Sequence, residues 1–412
     1  MRYGIALEGG GAKGAYHSGA LKAICELGYE IGAVTGTSIG SINGAYFVQE
    51  GHEQLVDFWS NIKPAQLIPD HLESYSKALV TGEVEDYRKL LKEFRRTLQE
   101  GGLDLSNFKK TLYQMINENL IREKGIDFGL VTYSLSDLKP IEIMLCDIPE
   151  GKLIEYLIAS SYLPGFKREK LSGKSFLDGA FHDNLPLNLL VDHGYRNIIA
   201  IESLGLGIKQ KVKDKDVNVI YIRPSSDTGG TIDFRPEVNQ SNIKMGYYDA
   251  LKVLKNYYGH KYYFTDIWSP KEAYSFFDKM EMTEVVSLAS VLNIKMIPYK
   301  RCLYEKIIPK LMELIDIPEY ADYNMIILYI LEYVAKLLEI DRFRLFTMDT
   351  LMEEILIRLK DFESDHRDWG ESFIKFLKSL GLYTHTFKDQ VLISCVKVIS
   401  SGQEGGNNGL QI

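Results

Sequence analysis

Ala33-Val34-Thr35-Gly36-Thr37-Ser38-Ile39-Gly40 decides how this chain reads: a short apolar run, then Gly-x-Ser-x-Gly, then a helix-like stretch. Placed between a strand and a helix, Gly-x-Ser-x-Gly reads as a nucleophile elbow, the sharp turn that lifts a serine hydroxyl into a cleft. The turn is tight, so a Cβ two residues to either side of the serine, at Gly36 or Gly40, would strike neighbouring backbone. Ser38 then opens the first turn of the next helix, whose unpaired N–H groups and dipole favour negative charge. The same pattern also occurs in ordinary turns, so its meaning rests on its surroundings.

Upstream, residues 3–7 read as a buried strand that runs into Glu8-Gly9-Gly10-Gly11-Ala12-Lys13-Gly14, followed by a helical stretch over 15–27 that Gly28 stops. The loop satisfies Gly-x-Gly-x-x-Gly, the dinucleotide-binding pattern. That pattern requires an acidic residue closing a second strand, about 20 residues on. Here the second strand, 33–35, runs into the elbow instead, and Glu30 precedes it. Successive glycines before a helix can equally aim their N–H groups at one point, as an oxyanion hole. A glycine-rich turn without a ligand is the remaining reading. Downstream, Lys174-Ser175-Phe176-Leu177 is a short strand ending in Asp178-Gly179-Ala180. By itself an Asp-Gly pair is only a turn.

In this order, the Gly-rich loop, the elbow and Asp-Gly-Ala resemble the patatin-like phospholipase family, in its bacterial-type form. The resemblance covers about residues 3–203, including Ala159-Ser160-Ser161-Tyr162-Leu163-Pro164-Gly165-Phe166 before the aspartate and Asn184-Leu185-Pro186 after it. It implies a three-layer α/β/α fold with a mainly parallel central sheet, and a lipid acyl hydrolase of the phospholipase A or lysophospholipase type. It also implies a Ser–Asp dyad needing no cofactor and no metal. Ser38 is then the nucleophile and Asp178 the base, with Gly179 and Ala180 completing the dyad motif and Gly36 and Gly40 the elbow. Gly9, Gly10, Gly11, Ala12, Lys13 and Gly14 make the oxyanion loop. Lys13 stands where the family commonly carries a basic residue, to steady the loop or to meet a lipid phosphate, and a plain surface lysine is the alternative. A carboxylate acting directly as base needs desolvation to raise its proton affinity, and Phe176, Leu177, Ala180 and Phe181 offer an apolar neighbourhood. Two other readings stand beside this one: a soluble carboxylesterase with a Ser-Asp-His triad completed by His366 or His385, and a catalytically silent binding scaffold. His182 and His193 read as local packing or bonding, and His17 lies at helical spacing to brace the loop.

With 412 residues the chain is long for one core, and 45% hydrophobic with 25% charged residues is a globular composition. A net charge of −8 disfavours nucleic acid or a strongly anionic membrane held by bulk electrostatics. Two local basic clusters, 92–96 and 209–213, read as solvated faces, with contact to lipid headgroups as the alternative. No secretory signal pattern and no apolar run of bilayer length is visible; the densest, 325–331, ends at Glu332. Cys25, Cys146, Cys302 and Cys395 lack metal-ligand spacing and read as thiols of a reduced protein. The expectation is a cytoplasmic protein in peripheral contact with lipid at the inner membrane surface. That contact is expected through residues 51–119 or the C-terminal helices.

Along the chain, residues 1–270 alternate strands and helices, as an α/β sheet with helices on both faces requires. A helical excursion over 51–119 has periods at 83–99 and 105–120, strands at 127–133 and 141–147 form a hairpin, and 197–202 and 218–222 suit buried parallel strands. Residues 271–399 read as a helical cap or regulatory region with periods at 273–292, 302–314, 325–338, 350–360 and 371–380, and 400–412 as a disordered tail.

Overall fold

In a computed structural model, which describes residues 2–67, 102, 104–163, 165–167 and 169–365, the chain divides into two units, Met1–Asn256 and Tyr257–Ile412. The first is built on one sheet. Its strands are β1 (Arg2–Leu7), β2 (Glu30–Thr37), β3 (Asp127–Ser134), β4 (Lys139–Met144), β5 (Phe176–Asp178), β6 (Asn197–Ile201) and β7 (Asn218–Ile222). The order is β4-β3-β2-β1-β6-β7, with β5 also pairing β3. The pairings among β3, β2, β1, β6 and β7 are all parallel, whereas β4 and β5 run antiparallel to β3. β1 lies in the middle, so Ile5, Ala6 and Leu7 are fully buried, as a strand covered on both faces requires.

Side chains alternate between the faces of a strand, and the two faces carry different helices. On one, Ala6, Ala33, Ile198 and Ala200 pack with Leu187, Leu190 and Val191 of a short helix. The small alanines leave room for it. On the other, Leu7, Val34 and Phe128 gather around Gly44 of the helix that follows the elbow. We label the helices α1 (Ala15–Glu26), α2 (Ile39–Glu50), α3 (Leu153–Ser160), α4 (Leu187–Asp192) and α5 (Pro236–Leu254). α1 packs along α5, where the Tyr16 hydroxyl donates to Asp249 Oδ2 at 3.1 Å. Because β1 and β2 are parallel, the Gly-rich loop and the elbow emerge at the same carboxyl edge of the sheet.

Several local expectations change. The period over 105–120 is broken into helices Ser106–Met115 and Glu118–Glu123, because Asn117 is extended and its side chain accepts from the amides of Asn119 and Leu120, capping a new start. The period at 83–99 lies outside the described residues. The division falls at 256 rather than 270, since β8 (Tyr263–Asp266) pairs in parallel with β9 (Leu345–Thr347) inside the second unit.

That second unit is mainly helical. Its core gathers Phe264, Phe277, Leu288, Leu303, Leu331 and Leu351. The helix expected over 273–292 is two, α6 (Pro270–Asp278) and α7 (Met282–Val291), because capping boxes at Ser269/Glu272 and Glu281/Glu284 each start a helix. A helical run from Tyr299 to Leu314 includes one π turn, and α8 (Tyr323–Leu337) and α9 (Met348–Asp365) follow. The β8–β9 pair was not legible in the sequence, since three or four residues are too few to show a period of two. Residues 371–380 and 400–412 lie outside the described residues. Among the described residues, no helix is long and apolar enough to cross a membrane.

Candidate active site

Ser38 follows directly on β2 and precedes α2, with φ 54° and ψ −126°. A side-chain-bearing residue in such a region carries about 1–3 kcal/mol of strain and persists only where its surroundings hold it. Those holds are present. The Ser38 N–H donates to Ser160 Oγ at 2.9 Å, and the Ser160 hydroxyl in turn donates to the Val131 carbonyl at 2.6 Å. The Ser38 carbonyl accepts from the Ser41 N–H at 2.9 Å and its hydroxyl at 2.6 Å. A Cβ on Gly36 would overlap the backbone of Gly40, and one on Gly40 would overlap the carbonyls of Leu7 and Glu8. Both glycines of the motif are therefore required by close approach.

Sheet pairing brings Asp178 to the same place. Thr37 is in register with Val131, and the next residue of β3, Thr132, is in register with Asp178 on β5. The Asp178 N–H donates to the Tyr162 carbonyl at 2.8 Å, and Oδ1 accepts from the Ala180 N–H at 2.8 Å. Oδ2 is buried and has no hydrogen-bond partner among the described residues. Burial pushes the carboxyl up to about 7, while the Ala180 amide and then the Ser38 hydroxyl act to lower it. The result is a carboxylate that exchanges a proton near neutrality, with one oxygen satisfied and the other not.

The Gly-rich loop lies against the serine: a Cβ on Gly9 would stand 3.1 Å from Ser38 Cβ. Several of its amides are already engaged. The Gly9 N–H donates to the Asn184 carbonyl (3.1 Å), that of Ala12 to the Thr231 carbonyl (2.8 Å), and that of Lys13 to the Gly10 carbonyl (3.4 Å). Gly14 closes a 3-10 turn, Gly11–Gly14, and abuts Ile39, Asn43 and Trp59. Among the described residues, the amides of Gly10 and Gly11 carry no acceptor. Lys13 Nζ donates to the Leu204 carbonyl at 2.8 Å, which steadies the loop.

Residues that the motifs did not mark complete the support. Glu8 is fully buried, its Oε2 accepting from the Ser203 N–H at 2.6 Å and its Oε1 lying 2.8 Å from Lys209 Nζ. Lys209 also reaches Glu202 at 3.2 Å. Lys209, read from sequence within a cluster that is a solvated face or a headgroup contact, is thus committed to a buried carboxylate; the cluster at 92–96 lies outside the described residues. An acid directly after an apolar strand was the available signal for Glu8, but nothing local marks Ser203 or Lys209 as its partners.

His17, His182 and His193 have other partners. His17 is fully buried and driven down to about 3 by desolvation, so its ring is neutral. Its Nδ1 lies 3.2 Å from Asn43 Nδ2, which also donates to the Gly14 carbonyl at 2.9 Å, so it braces the end of the loop. His182 Nε2 pairs with Glu142 at 2.8 Å, and His193 Nδ1 meets the Leu189 carbonyl at 2.8 Å. Neither ring pairs with Ser38 or Asp178. His366 and His385 lie outside the described residues.

The family model described as patatin-like phospholipase matches residues 5–191, a span that holds the Gly loop, the elbow and Asp-Gly-Ala. Residues 5–191 form a patatin-like phospholipase domain. Similar proteins include patatin-like phospholipase domain-containing protein ZK370.4 of Caenorhabditis elegans, 27% identical over 203 residues, covering 48% of this chain and 13% of that protein. Neuropathy target esterase sws of Drosophila melanogaster is 28% identical over 204 residues, covering 48% and 13%. Lysophospholipase NTE1 of Mycosarcoma maydis is 27% identical over 203 residues, covering 49% and 10%. The matches thus span about half of this chain but 13% or less of these relatives. The crystal structure of VipD from Legionella pneumophila covers 100% of this chain and 94% of its own, at 14% identity and a TM-score of 0.39. The patatin-like match ends before β6, so Ser203 and Lys209, which hold Glu8, lie beyond it.

Proposed function

We propose that this chain is a serine-dependent lipid acyl hydrolase of the phospholipase A or lysophospholipase type, working through a Ser38–Asp178 dyad. Ser38 Oγ attacks the ester carbonyl carbon while Asp178 Oδ2 takes the hydroxyl proton. The carbonyl electron pair moves onto oxygen, where the amides of Gly10 and Gly11 receive the charge, each such donor lowering the barrier by about 2.7–4 kcal/mol. Collapse breaks the ester C–O bond, and the leaving alkoxide takes the proton back from Asp178. Water then attacks the acyl-serine with Asp178 again as base, which releases the fatty acid and restores Ser38.

The observation that carries this reading is the unpartnered, buried Asp178 Oδ2, on a carboxyl raised to about 7, beside a serine held at a strained elbow. The dyad is expected to act on lipid by peripheral contact with a surface on the cytoplasmic side. The free thiols of Cys25, Cys146 and Cys302 suit a reducing compartment. Two of the similar proteins, an esterase and a lysophospholipase by name, support esters and lysophospholipids as the substrates to test. The test is a fluorophosphonate probe together with fatty-acid release from phosphatidylcholine and lysophosphatidylcholine. Ser38 is expected to take the label, and Ser38→Ala to lose both labelling and release. Labelling at another serine, or full activity of Ser38→Ala, ends the reading.

A further inference from the structure

The large exposed apolar side chains near the candidate site are not scattered. Leu204, Leu206 and Ile208 are 44%, 88% and 54% exposed and alternate along the loop after β6, and Phe181, 47% exposed, follows Ala180. Backbone bonds fix these two segments side by side: the Ile208 N–H donates to the Ala180 carbonyl (2.9 Å) and the Asn184 N–H to the Ile208 carbonyl (2.6 Å). At its other end the loop meets the Gly-rich loop. Lys13 Nζ holds the Leu204 carbonyl, and Gly205 approaches the Gly9 carbonyl so closely that a Cβ would overlap it. The segment therefore bridges the Gly10–Gly11 amides and the Asp178 turn, with Leu204, Leu206 and Ile208 exposed to solvent. Leu204 has φ 59°, a conformation leucine rarely adopts, and these bonds hold it there.

A contiguous set of large apolar groups in water beside a site marks a surface that something covers. The chain beyond Ile208 says what. Lys211, Lys213 and Lys215 are exposed, whereas Val212 and Asp214 between them are half-buried, Val212 against the Leu190 core and Asp214 at 3.7 Å from Arg196. Exposed lysines thus follow the exposed apolar residues along the same segment of chain, a composition that suits a headgroup layer above acyl chains. Resting on the hydrolase reading above, we propose that Phe181, Leu204, Leu206 and Ile208 form a rim that enters the lipid surface and seats the site on it, with Lys211, Lys213 and Lys215 meeting anionic headgroups. This rim, rather than residues 51–119 or the C-terminal helices, is then the point of adsorption.

The test is co-sedimentation of the full chain, carrying Ser38→Ala, with phosphatidylcholine vesicles and with mixed phosphatidylcholine–phosphatidylglycerol vesicles. Adding Leu206→Asp is expected to weaken partition by at least about tenfold on both, since one nearly fully exposed leucine is lost from the apolar layer. Tyr113→Asp, at a 60% exposed residue of the Ser106–Met115 helix, is expected to leave it unchanged. Lys211→Glu with Lys213→Glu is expected to remove the preference for the anionic vesicles and its sensitivity to salt. Thermal unfolding checks the fold of each variant, and Leu206→Ser replaces Leu206→Asp if the latter does not fold. Unchanged binding in Leu206→Asp and Leu206→Ser overturns the proposal. So does an equal loss in Tyr113→Asp, or a dimer in solution that depends on Leu206 and binds no vesicle. Because binding is read on a chain lacking the Ser38 hydroxyl, Leu206-dependent binding without any fatty-acid release by the unmodified chain sinks the hydrolase reading alone.

Discussion

Replacing Asp178 with Asn should abolish ester hydrolysis and stabilise the protein, both for one reason. Folded, the carboxyl binds its proton up to about 7; unfolded, it returns to its ordinary 3.8. An acid whose folded value is raised favours the folded state while protonated, and that contribution is lost as pH rises from about 4 through about 7. The difference corresponds to about 4 kcal/mol carried as a penalty by the ionised site at about pH 8, and to well under 1 kcal/mol near pH 4. Asparagine has nearly the same shape, can still accept the Ala180 amide, and never ionises. The assay is urea unfolding of both proteins across this pH range. The gap between them should open from near zero at low pH to several kcal/mol at high pH. Asp183, raised to about 6 by burial, also titrates here, but it does so in both proteins and cancels in the difference. On a soluble ester, kcat/KM of the unmodified chain should fall about tenfold per pH unit below about 7, as the base becomes protonated. An Asp178→Asn protein less stable at high pH than the original, or a gap that ignores pH, would refute the claim that desolvation sets this carboxyl.

What the sequence made legible was what local chemistry dictates. The Gly36–Gly40 spacing announces a turn too tight for side chains, and the backbone of Gly40 does fill the space beside Gly36. The apolar runs of β1, β2, β3 and β6 are visible because burial on both faces leaves little choice of residue. Less legible was which loop amides remain free, because the acceptors that occupy Gly9 and Ala12 come from Asn184 and Thr231, far along the chain. The same holds for Glu8 and Lys209: each looks like a solvated charge until β6 brings the second against the first. Exposure was the hardest property to read. Leu204, Leu206 and Ile208 pass for an ordinary apolar segment, and only the bonds from Lys13, Ala180 and Asn184 show that their backbone is anchored while their side chains are not.

Three further outcomes are expected. Ser160→Ala removes the acceptor of the buried Ser38 N–H, so it should cost about 1–3 kcal/mol of stability and lower kcat with little change in KM. Urea unfolding and steady-state kinetics check both effects. Activity on a short-chain ester should survive exhaustive chelation, since nucleophile, base and oxyanion donors in the proposed reaction are all groups of the chain; loss restored by a divalent cation would contradict that. Lys209→Met should cost about 3 kcal/mol, because it strands the fully buried Glu8 carboxylate with its remaining partners, the Ser203 amide and a long contact to Asn184. The cost belongs to the uncompensated charge and not to a missing contact, so adding Glu8→Gln, whose neutral oxygen still accepts the Ser203 N–H, should return most of it. Additive losses in the double variant would mean that the two side chains act independently. The Gly-rich loop would then be held by its other bonds, among them those of Lys13 to Leu204, Gly9 to Asn184 and Ala12 to Thr231.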